Sequence, residues 1–556
     1  MNLKKYSIIS LIVILSLLRF INLDNDVPPY NIAGISQTDE PYYCLLGFND
    51  YLKENNRIVL ELNEVGLKFL YFHNYYLSYW GLKYLGNNYY GLRIGAVLIS
   101  LLSIILLLFM FFERNKNFTI RLFIVLLLFS EFSFGVMSRF QNPQIYGIFW
   151  ITLAWWMFHK FNNTNNRFFR IIGLAIGLLT VILVYPYALF FAIGCALWLG
   201  HSSLSLKSFK PILDGVFALI LSIIVLIGFL SLAEMTIYDV INEYIKVGSL
   251  RDERNDWEML DVLKSMITQI VLTNLFRFNL LLFFPLISLL YFGIKEIKSF
   301  HKSNFYSLCF FVLVAAFIQA GFISSYPFKK WVLLFPTMIV ALSYFSERIK
   351  LGKIKGLDMW IIIGICMLLT WYNWKVTNSL EYWSGMKSYK FLAAPYWMEL
   401  TLLIIGLFIY LLFPFLKNKS KYLITYLGGM IIIGSIYSSY YFCVSSTTNI
   451  KDLLIEKSSL FDNGVILGDF AHTYSLYNNG TVLLNPYEKV FRDVKNNDIK
   501  KVLINRLESK SIWIEKTTPN KKKQELDVIQ YGVKMSLEDF IQNECYRYNL
   551  FIENEN

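Results

Sequence analysis

The chain has 556 residues, of which 56% are hydrophobic, 17% aromatic and 17% charged. Soluble globular domains carry about a quarter charged residues, so this composition favours a membrane protein. The formal net charge of +12 comes from lysines and arginines that are spread between apolar segments and form no single patch, which argues against nucleic-acid binding. The six cysteines have no paired spacing and indicate neither a disulfide framework nor a zinc site.

Uncharged apolar segments recur along the chain at the length that a helix needs to cross a bilayer. The first of them is interpreted as an uncleaved span, because no small-residue cleavage site follows it. Pro186 divides the apolar stretch 171–200 into two spans, since proline interrupts the helical hydrogen-bond ladder. The sequence therefore predicts about thirteen membrane helices, at residues 6–23, 92–112, 119–136, 144–160, 171–184, 186–200, 211–232, 276–294, 305–323, 331–347, 358–374, 396–416 and 421–442.

The distribution of lysine and arginine predicts the orientation of these spans. With the amino terminus in the cytoplasm, every inner loop is rich in these residues and the short outer loops are poor in them, as the positive-inside rule requires. If 171–200 were a single helix, every later loop would lie on the opposite side of the membrane, and the basic loops would no longer be cytoplasmic. The predicted protein is a multi-pass protein of the cytoplasmic membrane, with a transmembrane domain at residues 1–442, a long first outer loop at 24–91 and an extracytoplasmic C-terminal domain at 443–556.

The C-terminal domain alternates short apolar segments with polar ones. This alternation is typical of a small α/β domain. Strands are predicted at residues 464–468, 480–484 and 501–504, and helices at residues 486–497 and 536–543.

The first outer loop contains two adjacent acids, Asp39 and Glu40. Thr38 or Asp39 can cap a helix whose first turn holds Glu40 and Pro41, so one interpretation of the acids is purely structural. Residues 61–80 form a second polar and aromatic segment, which predicts a helix along the membrane surface. Between two surface helices, a carboxylate faces the place where a lipid-linked head group leaves the membrane, and it can act there as a base. Asp39 is predicted to be this base, and Glu40 to orient the acceptor or the sugar.

Cations near the outer ends of the spans are candidates for binding a phosphate, because a guanidinium group can bind two phosphate oxygens at once. The lysines can equally be interpreted as structural residues, whose long side chains extend to the membrane interface without binding phosphate. His73, in the second surface helix, can face either the site or the lipid head groups, and the head groups are the favoured interpretation. The candidate phosphate ligands are Arg93, Arg139, Lys329 and Lys330, and the candidate contacts of acceptor or sugar are Tyr42, Tyr43, Glu64 and Asn142.

The layout resembles the GT-C glycosyltransferases, in particular the protein O-mannosyltransferases and the lipid A aminoarabinose transferases. Four motifs carry the resemblance: Thr38-Asp39-Glu40-Pro41-Tyr42-Tyr43, Tyr90-Gly91-Leu92-Arg93, the glycine-spaced segment 173–180, and the basic and aromatic segment 328–336. The sequence departs from the family pattern at two places. Members often carry a further acid where this chain has amides around Asn142, and many have a lysine where it has Tyr185-Pro186-Tyr187.

The resemblance implies an inverting transferase that moves a sugar from polyprenyl phosphate to a lipid, glycan or protein acceptor. Nucleotide sugars are absent outside the cytoplasmic membrane, so a sugar transferred there arrives on a lipid. Two alternatives are a multispan transporter or flippase, which the scarcity of charge within the spans disfavours, and a polymerase or ligase of surface polysaccharide. An inactive structural relative is a further alternative. The sequence identifies no definite cofactor, and it leaves open a divalent metal ion held in part by Asp39 and Glu40, which alone form an incomplete shell.

Overall fold

The structure is a computed structural model. It describes residues 2–21, 23, 39–57, 72–130, 132–232, 236–239, 241, 280–296, 304–322, 332–350, 361, 450–462, 464–467, 474–482, 510–517, 527–530, 533–542 and 547–553. The predicted spans 396–416 and 421–442 lie outside these residues, as does all of 358–374 except residue 361.

All predicted spans up to residue 347 coincide with helices of the structure. These helices, with two further ones in the first outer loop, are α1 (Asn2–Leu18), α2 (Asp39–Glu54), α3 (Phe72–Leu85), α4 (Tyr89–Arg114), α5 (Phe118–Ser130), α6 (Phe132–Met137), α7 (Pro143–Thr164), α8 (Arg167–Leu179), α9 (Leu189–Leu206), α10 (Lys210–Leu232), α11 (Leu280–Lys295), α12 (Asn304–Phe322) and α13 (Phe335–Lys350). In the described part of the chain, four helical segments are long and apolar enough to cross a membrane by length and composition alone: Tyr89–Arg114, Arg167–Val184, Pro186–Leu206 and Lys210–Leu232. The total of thirteen spans stays a prediction.

Helix α10 has the most exposed apolar surface of the four segments, with only 17% of its apolar window buried. Ile212, Phe217, Ile220 and Ile224 are among its exposed side chains. Soluble proteins rarely expose so large a contiguous apolar surface, whereas a helix in contact with lipid tails needs one.

The predicted break at Pro186 is present. Helix α8 continues into a π-helical turn, Thr180–Val184, and Tyr185 then adopts an extended conformation with φ −161° and ψ 114°. Pro186 begins a short 3-10 turn that leads into α9. Proline disfavours helical geometry at the residue before it and cannot donate to the helical ladder, which explains why the helix ends at this point.

Ion pairs connect the helix ends at one end of the bundle. The pairs are Glu113 with Lys160 at 2.7 Å, Arg114 with Glu347 at 3.3 Å, and Asp214 with both Arg167 and Arg170. The carboxyl ends of α4, α7 and α13 therefore lie beside the amino ends of α8 and α10, as expected for helices that cross in alternating directions. The sequence assigns this end to the cytoplasm, and that assignment of sides stays a prediction.

The C-terminal residues form a six-stranded mixed sheet next to two short helices. The elements are α14 (Ile450–Glu456), α15 (Ser458–Asp462), β1 (Gly464–Leu467), β2 (Thr481–Val482), β3 (Lys510–Thr517), β4 (Asp527–Gln530), β5 (Val533–Gln542) and β6 (Arg547–Glu553), with strand order β2-β1-β3-β6-β5-β4. Strand β1 runs parallel to β2 and β3, and the remaining pairs are antiparallel. Strands were predicted correctly at 464–468 and 480–484.

The helix predicted at 536–543 is wrong, because these residues belong to strand β5 up to Gln542. A register shift between Leu537 and Asp539 interrupts the alternation of this strand. In the sequence, Leu537, Phe540 and Ile541 stand three and four residues apart, which is the spacing of a helix rather than of a regular strand. The predicted elements at 486–497 and 501–504 lie outside the described residues.

Candidate functional site

Helix α2 begins at Asp39, so Asp39 and Glu40 occupy its first turn. The sequence predicted Glu40 in the first turn and Thr38 or Asp39 as the cap. The amino end of a helix is the end where a carboxylate is stabilised. The side chains of Asp39, Glu40, Tyr42 and Tyr43 lie outside those that the structure describes, and so does the whole of Glu64. Their predicted roles as base, orienting group and substrate contacts stay predictions.

Side chains of α3 hold α2 in place. Tyr75 donates a hydrogen bond to Asp50 at 2.5 Å, and Lys83 pairs with Glu54 at 3.1 Å. Gly47 lies so close to α3 that a Cβ atom there would overlap the carbonyl oxygen of Tyr75. The helix that begins with the acids therefore packs directly against its partner surface helix.

The motif at the start of α4 connects this helix pair to the membrane bundle. A Cβ atom at Gly91 would lie 2.8 Å from the carbonyl oxygen of Gly81 in α3, so only glycine permits this approach. Asn88 caps α4 by accepting a hydrogen bond from the Gly91 amide at 2.8 Å. The tight contact and the cap fix the first turn of α4, and with it Arg93.

Two of the predicted phosphate ligands, Arg93 and Arg139, are brought together. Arg93 is 1% exposed and Arg139 is 3% exposed. Arg93 Nη1 donates to the carbonyl oxygen of Leu23 at 3.1 Å, and Arg139 Nη2 donates to that of Ile21 at 2.7 Å. Since Ile21 and Leu23 are two residues apart, their carbonyl groups lie within about 7 Å of each other. Both guanidinium groups therefore adjoin the segment where the first outer loop leaves α1.

A third arginine, Arg19, belongs to the same cluster and was not assigned a role from the sequence. It is 4% exposed, and it donates to Ser138 Oγ at 2.9 Å and to the carbonyl oxygen of Phe129 at 2.8 Å. The available signal was its position, as the one charge that interrupts the first apolar segment. Ionisable residues in such segments are costly and are usually functional. Arg19, Arg93 and Arg139 together are called the arginine cluster below.

Asn142 lies beside the cluster but is occupied within the protein. Its side-chain oxygen caps α7 by accepting from the Ile145 amide at 3.2 Å, and its nitrogen donates to the carbonyl oxygens of Met137 and Phe140 at 2.9 and 3.1 Å. These contacts explain an asparagine at this position without a ligand. Its predicted contact with a substrate stays a prediction.

The two departures from the family pattern meet in space. Gln144, two residues after Asn142, donates a hydrogen bond to the Tyr185 hydroxyl group at 3.0 Å, and both side chains are buried. A neutral pair thus connects the start of α7 to the break before α9. An amide and a phenol suit this buried position because neither carries a charge that burial would penalise.

The expectation that His73 faces lipid head groups is wrong. The Trp150 indole of α7 donates to His73 Nε2 at 3.0 Å, and the imidazole stacks on Tyr146 with the ring centroids 5.0 Å apart. Burial lowers the pKa of His73 to about 3. The imidazole is therefore neutral at physiological pH, and because Nε2 accepts a hydrogen bond, the proton is on Nδ1.

The remaining predicted ligands, Lys329 and Lys330, lie outside the described residues. Among the described side chains, no group of three histidines, cysteines, aspartates or glutamates is arranged to hold a metal ion. The acids Asp39 and Glu40 are outside that set, so a metal ion at them stays an open prediction.

Comparison with known proteins agrees with the resemblance seen in the sequence. Residues 10–238 match the family model described as dolichyl-phosphate-mannose-protein mannosyltransferase. Two crystal structures of ArnT from Cupriavidus metallidurans, one apo and one bound to undecaprenyl phosphate, each have a TM-score of 0.58, with 9% and 10% sequence identity, and cover 98% of this chain and 97% of theirs. The apo oligosaccharyltransferase of Archaeoglobus fulgidus has a TM-score of 0.44 at 14% identity, covering 92% of this chain and 70% of its own. No curated protein matches the sequence.

The fold therefore defines the class of this protein, which is a membrane protein with the GT-C fold. The match over residues 10–238, which covers less than half of the chain, and this fold confirm the predicted resemblance to the GT-C glycosyltransferases, including the protein mannosyltransferases.

Proposed function

We propose that this protein transfers one sugar from a polyprenyl-phosphate donor to an acceptor at the outer face of the cytoplasmic membrane, with inversion at the sugar carbon. The observation that carries the proposal is the arginine cluster, because two of its members were predicted as phosphate ligands and both adjoin the start of the first outer loop. The family match over residues 10–238 supports the same chemistry, since that model describes transfer of mannose from a lipid phosphate.

The donor phosphate is placed at the arginine cluster. Carbonyl oxygens fix where the charges of Arg93 and Arg139 lie, and guanidinium groups match the geometry of phosphate oxygens. Negative charge develops on the phosphate as it departs from the sugar, and preorganised cations stabilise that charge. Lys329 and Lys330, which lie much later in the sequence than the arginine cluster, are proposed as further phosphate ligands.

The acceptor is placed at the start of α2. Asp39 takes the proton of the acceptor hydroxyl or amine group while the acceptor atom attacks the first carbon of the sugar. The bond from that carbon to the phosphate oxygen breaks, and its electron pair leaves with polyprenyl phosphate. Attack opposite the leaving group inverts the carbon, and Asp39 then releases its proton to water. Glu40 orients the acceptor or the sugar.

The test is Asp39→Asn, assayed with radiolabelled polyprenyl-phosphate sugars and total membranes. We expect transfer to fall by about 10²–10⁴-fold, which is the usual contribution of a general base, while membrane insertion stays normal. Asp239→Asn is the matched control, because Asp239 is an exposed acid that contacts only its neighbour Thr236 among the contacts described. Transfer at the wild-type rate by the Asp39→Asn variant would refute the assignment of the base. If the wild-type protein transfers no radiolabelled sugar to any membrane fraction, the proposal that it is a transferase is refuted.

A further inference from the structure

The segment 474–482 of the C-terminal domain contacts the first outer loop, more than 380 residues away in sequence. Arg57, just after α2, donates to the carbonyl oxygen of Gly480 from Nε at 3.2 Å and from Nη2 at 3.0 Å, and to that of Ser475 at 3.1 Å. The carbonyl oxygen of Arg57 accepts from the amide of Val482 at 2.9 Å. Val482 lies in β2, the edge strand of the sheet, so Arg57 covers this edge.

The turn between α3 and α4 binds the same segment. The Asn87 side chain donates to the carbonyl oxygens of Ser475 at 2.7 Å and Asn478 at 3.0 Å, and its own carbonyl oxygen accepts from the Tyr477 amide at 2.8 Å. The Tyr89 amide donates to the Tyr477 hydroxyl group at 3.2 Å. The carbonyl oxygen of Ser475 thus joins the end of α2 to the end of α3.

Residues 474–482 keep their shape through their own contacts. Asn478 donates to the carbonyl oxygens of Tyr474 and Leu476 at 2.9 and 3.0 Å and accepts from the Gly480 amide at 3.0 Å. Tyr477 has a φ of 64°, in the region that disfavours most side chains, which such contacts can maintain. Because residues 474–482 keep their own conformation, they can fix the position of the first outer loop, which binds them.

Arg57 is held rigidly against the carboxyl end of α2. The Arg57 amide donates back to the carbonyl oxygen of Leu52 at 2.8 Å, and Asn56 takes a left-handed φ of 55°. Arg57 as a whole residue is only 8% exposed. Helix α2 has 16 residues and is about 24 Å long, with Asp39 at its far end. A tilt of about 5° at the Arg57 end would move Asp39 by about 2 Å over that length.

We infer that residues 474–482 position the first outer loop, and that Arg57 and Asn87 are positioning residues for the acid pair at the start of α2. The inference rests on the proposed function, because it assigns this contact to the alignment of Asp39 with its substrate. The inference gives the C-terminal domain a role in the reaction, although the domain contains none of the proposed reacting groups.

The test compares Arg57→Met and Asn87→Ala with wild type in the full chain. We expect kcat to fall at least about tenfold in each, since a shift of about 1 Å in a catalytic group can cost 10²-fold, while the KM for the donor stays within about twofold because the arginine cluster is untouched. Hydrogen exchange should accelerate at the amides of Val482 and Tyr477, which donate to Arg57 and Asn87. The double variant should lose less than the product of the two single effects, because both side chains bind the carbonyl oxygen of Ser475.

Arg121→Met is the matched control. Arg121 also donates to two carbonyl oxygens, those of Asn115 at 2.5 Å and Phe112 at 2.7 Å, but at the opposite end of α4. Its kcat should stay near wild type. If Asp39→Asn abolishes transfer but Arg57→Met and Asn87→Ala both retain the wild-type kcat with accelerated exchange, the positioning role is refuted and the proposed function stands. A fall in kcat of equal size in the Arg121→Met variant would also refute it, because the loss would then be a general effect of destabilisation.

Discussion

At the scale of single residues, the arginine cluster shows what a charge requires in an apolar part of the chain. Burying a guanidinium group without acceptors costs several kcal/mol, so each arginine needs oxygen atoms at its tip. The structure supplies them from Ile21, Leu23 and Ser138. The protein thus maintains three positive charges near the end of α1, where the donor phosphate is proposed to bind.

A substitution at Arg139 tests this assignment. Arg139→Lys keeps the charge but replaces the planar fork by a point charge, so it cannot bind two phosphate oxygens at once. We expect kcat/KM for the donor to fall by roughly 10–100-fold, equivalent to about 1.4–2.8 kcal/mol, as measured from initial rates over a range of donor concentrations. Arg121→Lys, at the opposite end of the bundle, should leave kcat/KM unchanged. An Arg139→Lys variant with wild-type kcat/KM would show that Arg139 does not bind the phosphate.

At the scale of elements, α2, α3 and α4 form a tightly packed unit that contains the acid pair at the start of α2 and Arg93 near the start of α4. Glycines make this packing possible, because a side chain at Gly47 or Gly91 would overlap a neighbouring carbonyl oxygen. Hydropathy and motif spacing predicted the start of α2 and the start of α4. They could not predict the packing of His73 on α7, because an aromatic residue in a surface helix fits either lipid head groups or a neighbouring helix.

The packing of α2 on α3 can be tested with Gly47→Ala. Forcing a methyl group into a packed interface typically costs about 1–3 kcal/mol, so we expect a lower thermal midpoint in detergent. Gly228→Ala, in α10, is the matched control, because nothing lies within 4 Å of a Cβ atom there. That change should stabilise the protein slightly, since alanine has the higher helix propensity. Equal thermal midpoints for the Gly47→Ala variant and wild type would refute the close packing of α2 on α3 at Gly47.

At the scale of the whole molecule, the ion pairs and the contact at residues 474–482 lie at opposite ends of α4. Arg114 at one end of α4 contacts Glu347, and Tyr89 at the other end contacts Tyr477. The C-terminal domain therefore lies on the side of the first outer loop, and the basic helix ends lie on the other. The number and orientation of the predicted spans stay predictions.

Cysteine labelling tests which side faces the cytoplasm. With a membrane-impermeant maleimide added to intact cells, Glu456→Cys in the C-terminal domain should react, and Lys207→Cys, between α9 and α10, should react only after lysis; both native side chains are exposed. The unsubstituted chain reports the background from its native cysteines, of which Cys44, Cys195 and Cys309 are buried. Reaction of Lys207→Cys in intact cells would invert the predicted topology and place the acid pair in the cytoplasm.

The apolar helices up to residue 350, the break at Pro186 and the helix that starts at Asp39 all follow from the sequence, because hydropathy, proline geometry and helix capping act over a few residues. The strand at β5 was missed because its apolar residues have helical spacing in the sequence, and the register shift of the strand leaves no separate local signal. Only the tertiary structure joins Arg19 to Ser138, Gln144 to Tyr185 and Arg57 to Gly480, which are 119, 41 and 423 residues apart. Such pairs leave no local signal, since a buried polar group requires some partner but does not specify where in the chain that partner lies.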